Sequence, residues 1–256
     1  MSLTRCSRLA VALLVVALLA TGVASAFSVS AEGVPSSAAA GEEVSVTYTV
    51  DDPFTDAPNE WTLNGTTELE NVGWTVTVLR AGNPIDDGET TYGDQTFERD
   101  LSVDNNGDQV RIELTGEVPE VENFTYEPRE QFVVASLDRV TGSNAEEFRN
   151  DTAHHYTENS SAARQAIEDA ESAIESAGGH DEAENLRDSA VSAYEVGNFG
   201  NAQDLAQEAE SKAESAQQSQ QTMQTALMAV GALLVIALIG GGIYYWRSQG
   251  DDYSKL

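Results

Sequence analysis

The side chains best equipped for chemistry in this 256-residue chain are few. His154 and His155 stand side by side near Asp151 and Glu158, residue types that ligate metals. Neighbouring side chains point apart on most backbones, and no further ligand follows at a fixed spacing, so the pair does not read as a metal site. The run Asp104-Asn105-Asn106-Gly107-Asp108 echoes a calcium loop, yet Gln109 stands where the loop requires glycine and no glutamate closes it. A turn is the simpler reading. With 3 histidines in all, a hydrolytic triad has few bases to draw on, and neither GxSxG nor HExxH occurs. The one cysteine, Cys6, precedes the first apolar run, so removal of that run leaves no thiol for a disulfide, a nucleophile or a thiolate site. The expectation is a non-enzymatic protein with no catalytic residue, no cofactor and no metal ligand.

Charge then narrows the setting. Acidic residues number 43 against 13 basic ones. Between Phe27 and Thr222 the counts are 41 and 9, a net charge of −32. At ordinary ionic strength, with a Debye length of about 8 Å, such a surface repels itself; in molar salt the length falls to roughly 3 Å and the repulsion largely vanishes. The acids are spread among patterned apolar residues, which argues for a folded body rather than an acidic disordered tail. Acid-rich, lysine-poor composition resembles that of proteins adapted to very high salt. No basic patch exists to hold phosphates, which excludes nucleic acid as a partner.

Two apolar segments set the expected topology. Residues 1–26 read as a signal peptide: Arg5 and Arg8 form the positive region, Leu9 to Ala20 the apolar run, and Ala24-Ser25-Ala26 a small-residue site for cleavage between Ala26 and Phe27. Residues 225–246 (Thr225 to Trp246) carry no charge and reach ~33 Å as a helix, enough for a ~30 Å hydrocarbon core. Tyr244, Tyr245 and Trp246 form an aromatic belt, Ala237 and Gly241 a small-xxx-small pair, and residues 247–256 a short neutral tail. The leader places the N-terminus outside and the C-terminus in the cytoplasm, on a single-pass membrane protein partnered by the lipid bilayer.

Between these segments the hydrophobic period is first two, then 3.6. Val44, Val46, Tyr48 and Val50 alternate with polar residues, as do Trp74, Val76 and Val78, and Val110, Ile112 and Leu114. Further strands are expected at Phe27 to Ala31, near Trp61, at Gln95 to Val103 and at Gln131 to Val140. Turn signals lie at Gly41, Asp87-Gly88 and Asn106-Gly107, the last read as a hairpin. About seven short strands over residues 27–142 suit an all-β immunoglobulin-like sandwich. Residues 143–159 lose the period and read as a linker.

Residues 160–224 read as an α-helical hairpin and stalk. Ala163, Ala166, Ile167, Ala170, Ala173, Ile174 and Ala177 make one stripe, ended by Gly178-Gly179; Asp181 and Glu184 suggest a capping box for a second helix, ended by Gly197. A third, from Asn201, meets no Gly or Pro before the membrane segment and predicts ~36 Å of stalk that raises the β domain outward. Leu186, Ala190, Gly197, Phe199, Ala202 and Ala209 resemble one tetratricopeptide (TPR-like) helix pair, although Ala193 stands where an aromatic is usual and the closing proline is missing. The resemblance covers about one repeat, so the segment reads as a small three-helix packing unit rather than a peptide-binding solenoid. Its alanine seams invite completion by a partner or by a second copy, a homo-oligomer through the helices.

Four sequons, at Asn64, Asn123, Asn150 and Asn159, offer N-glycan acceptors consistent with export. The assembly of leader, β domain, helical segment and C-terminal anchor resembles haloarchaeal-type single-pass cell-surface proteins. It implies a membrane-anchored extracellular interaction or structural protein whose partner is a protein or an envelope glycan. The alternative is an accessory subunit of a membrane transporter, secretion or sensor complex, in which the membrane helix itself does the recognition.

Overall fold

The computed structural model of the chain describes residues 27–248. The leader, Ala26 and residues 249–256 of the expected tail lie outside the described residues. The chain divides into two compact units. One runs to Val121, resumes at Glu130 and ends at Tyr156; the other comprises Glu122–Arg129 and everything from Thr157 onward.

The first unit is all β. One sheet holds β1 (Ser28–Glu32), β3 (Glu43–Asp51), β9 (Gln109–Glu117), β5 (Glu70–Arg80) and β6 (Asn83–Pro84) in that spatial order, with β7 (Glu89–Tyr92) also on β5. The other holds β2 (Ser37–Ala39), β11 (Asn144–Tyr156), β10 (Gln131–Thr141), β4 (Glu60–Thr66) and β8 (Thr96–Ser102). All pairings are antiparallel except that of β2 with β11. Strict alternation drives the layers together. Val44, Val46, Tyr48 and Val50 of β3 are buried while the residues between them are not, and β9 and β5 repeat the pattern with Val110, Ile112, Leu114, Trp74 and Val76. The opposite sheet supplies Leu63, Phe97, Val134, Ala135 and Leu137 to the same core. Each buried Val, Leu, Ile or Phe among these stabilises the fold by about 1.5–3 kcal/mol through apolar burial. Trp74 meets Phe97 across the layers at 4.8 Å between ring centroids. Gly65 makes room for that pair, since a Cβ there would come within 2.1 Å of the Phe97 ring.

Two expectations fail in this unit. Residues 144–156 are not a linker but β11, the longest strand at 13 residues. Its first half carries charged and polar side chains on both faces, so no period shows; its backbone pairing with β10 holds it, with bulges where the register shifts. Nor is Asn106-Gly107 a hairpin. Ser102 caps a 3₁₀ turn at Val103–Asn105, Asn106 adopts a left-handed φ of 55°, and the chain crosses from β8 in one sheet to β9 in the other. The same turn chemistry serves either connection.

The second unit is helical: α1 (Glu158–Ser176), α2 (Asp181–Glu195) and α3 (Phe199–Ser248). Thr157 and Ser160 exchange side-chain and backbone hydrogen bonds as a capping box for α1. The start of α2 is capped by His180, whose Nδ1 accepts from the Ala183 amide at 3.3 Å, rather than by an Asp181–Glu184 box. Gly197, at φ +75°, turns the chain tightly into α3. The core is mostly alanine: Ala163, Ala170, Ala190, Ala202, Ala206 and Ala209 are fully buried. Phe124 and Tyr126, from the short segment 122–129, complete it against Tyr194 and Phe199, with ring centroids 4.7 to 6.3 Å apart.

The stalk is shorter than expected. Ala213 is still buried, Gln217 donates to the Ser176 carbonyl at 3.4 Å and Gln220 to that of Ala177 at 3.1 Å. These glutamines satisfy carbonyls left open at the end of α1. Helix α3 therefore belongs to the three-helix unit as far as Gln220 and continues without a break through 50 residues, ~75 Å. From Met223 to Ile243 every large apolar side chain described is more than half exposed. It is one helix long and apolar enough to cross a membrane. The side chains of Tyr244, Tyr245 and Trp246, and Gly241, lie outside the described residues.

Candidate functional site

The histidine pair shows how a strand separates neighbours. On β11, His155 turns inward and is buried against Phe132, while His154 faces the other way and bonds through Nδ1 to the Glu130 carbonyl at 2.7 Å. Burial pushes the His155 pKa below its usual 6.5, opposed by the nearby charges of Glu130 and Glu68 and by a backbone hydrogen bond at Pro119. Its Nδ1 is buried without a partner. Asp151 is forked by Arg149 at 2.7 and 2.8 Å. Among the described residues no group of His, Cys, Asp and Glu gathers to hold a metal. The run 104–108 is spent on its turn: Asn106 donates to the Asp104 carbonyl, and both carboxylate oxygens of Asp108 accept from the Ala81 amide.

The glycan acceptors are spread over both units. Asn64 lies half-buried on the outward face of β4, opposite Asp138 and Glu98. Asn123 is exposed in the segment 122–129, Asn150 is exposed on β11 and donates to Glu147 at 3.1 Å, and Asn159 is exposed in the first turn of α1. Phe27, the residue after the expected cleavage, packs edge-on to Phe148 at 5.3 Å beneath the Arg139 guanidinium.

One concave feature of the β unit is a cleft of about 470 Å³ at one end of the β4–β8 pair. Glu60 and Thr62 reach it from β4, Asp100 and Ser102 from β8, Asn105 from the 3₁₀ turn and Thr141 from the end of β10. Thr62 donates to Asp100 at 2.7 Å. Trp61 also lines the cleft, but with 4% exposure and its indole N–H on the Pro53 carbonyl it presents too little surface for a stacking platform. Carboxylates, hydroxyls and one amide around a cavity of this size hydrogen-bond hydroxyl-rich ligands. Sequence reasoning missed the cleft, because its residues come from three separate segments with no shared motif.

In the helical unit the chemistry is inward. Arg164 is buried, with its guanidinium 4.5 Å from the Tyr126 ring and 5.1 Å from that of Tyr194, and it donates to the Thr125 and Tyr126 carbonyls at 3.1 and 2.7 Å. Burial raises the Tyr126 pKa, helped by Glu171 and Glu168. This cluster fastens segment 122–129 onto α1 and leaves its cation fully enclosed.

No family model matches the chain, and no curated protein matches it. Similar solved structures include the sporulation control protein Spo0M of Bacillus subtilis, 14% identical over 56% of this chain and 55% of that chain, at a TM-score of 0.31. Another is the alkylpurine DNA glycosylase AlkC of Pseudomonas fluorescens, 14% identical over 50% of this chain and 30% of that one, at 0.26. A third is the bacterial hydrophobin BslA, 10% identical over 52% of this chain and 100% of that one, at 0.25. The chain thus spans 55% of the first of these proteins and 30% of the second. At such scores the likenesses carry no argument.

Proposed function

We propose that the chain is a membrane-anchored, non-enzymatic interaction protein of a halophilic, haloarchaeal-type cell surface, held by α3 with its N-terminus outside and its C-terminus in the cytoplasm. The observation that carries this reading is α3 itself. A helix that packs inside a polar, acidic three-helix unit continues, with its large apolar side chains more than half exposed, through an apolar segment of membrane length. The net charge of −32 between Phe27 and Thr222 suits a molar-salt exterior. On this reading the β unit is an immunoglobulin-like module, the helices a TPR-like one, and the sequons carry glycans. The cleft beside Asp100 supplies the contact for an envelope glycan or protein.

The full chain, reconstituted in lipid vesicles, is expected to co-sediment isolated envelope in molar salt and to expose its β unit to added protease. Protection of that unit from protease, or no envelope bound, overturns the reading.

One observation favours the accessory-subunit alternative: nothing interrupts the helix between Gln220 and Thr225, so recognition within the bilayer would be felt outside it. Exchanging residues 225–246 for a generic anchor decides between the two. Loss of function after that exchange supports the accessory role, and retention supports the tether.

A further inference from the structure

Cations are scarce in this chain, and their placement is informative. Of the 9 basic residues between Phe27 and Thr222, Arg80 and Arg111 are the two with no carboxylate within 4 Å among the described residues. Arg111 stands mid-strand on β9, between Thr49 and Thr77 of its neighbours. Arg80 is different: it is exposed at the end of β5, where the tight turn through Ala81 and Gly82 begins, and it lines a cavity of about 460 Å³. Val78, Ile85, Asp86, Arg99 and Asn105 share that lining.

The one carboxylate in the lining is already engaged. Asp86 accepts from Arg99 at 2.6 Å through Oδ2, and from the Val78 and Gly88 amides at 3.2 Å through Oδ1. Arg99 is held on its other side by Glu89, and its Nε is buried without a partner. The cavity therefore presents a free guanidinium, the unengaged amide of Asn105 and an apolar wall formed by Val78 and Ile85, which is 42% exposed. Asn105 also lines the cleft of Glu60, Asp100 and Thr141, so one residue borders both hollows.

We propose that the Arg80 cavity takes the carboxylate of a sugar acid within an oligosaccharide, whose next, neutral residue lies in the Asp100 cleft. This rests on the reading of the β unit as an envelope-binding module and names its ligand class. A guanidinium forks a carboxylate through two parallel hydrogen bonds, a geometry that an ammonium cannot reproduce. The ring's apolar face covers Ile85 and Val78, and its hydroxyls find Asn105 and then Asp100 and Thr141. Two hollows of about 460 and 470 Å³ that share Asn105 suit a ligand of two or more sugar rings, far larger than an inorganic anion. Salt supports the choice: at low ionic strength the net charge of −32 repels any anion, whereas a screening length of roughly 3 Å in molar salt leaves the contact fork intact.

The test is calorimetric titration of the full chain in detergent micelles, in molar potassium chloride, with three probes. These are a glucuronate-containing disaccharide, its neutral glucose counterpart, and acetate. The acidic disaccharide is expected to bind at least tenfold more tightly than either of the others. Arg80→Gln should bring it down to the neutral sugar's affinity, Arg80→Lys should recover only part of the loss, and Asn105→Ala should weaken both sugars. Arg111→Gln, the other unpaired cation, should change nothing, and an unchanged melting curve for Arg80→Gln shows that the fold is kept. Undiminished affinity in Arg80→Gln, absence of sugar binding, or acetate matching the disaccharide (an adventitious ion only) each overturns the assignment. Envelope captured equally by wild type and Arg80→Gln removes this site alone, whereas failure of the wild type to capture envelope removes the wider reading.

Discussion

Trp74, Tyr48, Leu63, Ile112 and Leu137 fill the interior of the β unit, whereas alanines fill most of the interior of the helical unit. Sheets lie ~10 Å apart face to face, and only large side chains can close that gap. Alanine-faced helices instead close it by bringing their backbones together, near the ~8 Å end of interaxial distances. The first solution buries much area per residue. The second buries little, which is why the helical unit recruits Phe124 and Tyr126 from a segment lying between two strands in sequence. Compactness has two sources in this chain, and they fail differently.

The largest expected effect separates them. Trp74→Ala should destabilise the β unit by ~3–5 kcal/mol, the cost of a large cavity that the sheets cannot close. Amide hydrogen exchange on the full chain should show the loss there and leave α1 to α3 protected. Next, Tyr126→Ala should cost ~3 kcal/mol, but in the helices, because the ring it removes covers Arg164 and Tyr194. Loss of exchange protection in β9 and β10 rather than in α1 would break the comparison. Ala206→Leu should cost ~2 kcal/mol by overpacking the closely spaced helices, while a Val-to-Ile exchange in the β core should cost less; Tm measures both.

A smaller effect depends on pH. The His155 pKa is lowered on folding, so between that value and 6.5 the unfolded chain binds more protons than the folded one. The stability of the β unit is then full above pH 6.5 and declines as pH falls through the folded pKa. Glu130 and Glu68 act on the ring by raising its pKa, and the neighbouring His154 by lowering it. His155→Phe should flatten that slope in unfolding followed by tryptophan fluorescence; an unchanged slope assigns it elsewhere. Least of all, Lys212→Gln should leave Tm unmoved, because its bond to Glu182 is solvent-exposed and screened, although it raises the Lys212 pKa.

The sequence made much of this contrast readable. Alternation located β3, β5 and β9 to within a few residues, because each buries one face and wets the other. The alanine stripe of α1 was equally plain. Periodicity misses what backbone pairing or tertiary capping holds. It could not reveal β11, whose first half is polar on both faces, or assign Phe124 and Tyr126 to the helices, since two aromatics in a loop carry no period. Gln217 and Gln220 looked like solvated stalk because a side-chain bond to another helix's end leaves no trace in composition. The cleft was invisible for a related reason: Thr62, Asp100 and Thr141 converge only after β4, β8 and β10 pair.

The unbroken run of α3 past Gln220 also sets a phase. Each residue of an α-helix advances the chain ~1.5 Å and turns it about 100°. Helix α3 behaves here as a keyed shaft: the compass bearing of the three-helix unit relative to the apolar segment is set by how many residues separate Gln220 from that segment. One inserted residue between Gln220 and Thr225 would swing the whole unit by more than a quarter-turn while scarcely lifting it. Seven would restore its bearing almost completely, about 10 Å higher. If that segment is the membrane anchor proposed above, a partner beside the bilayer should tolerate the second insertion far better than the first.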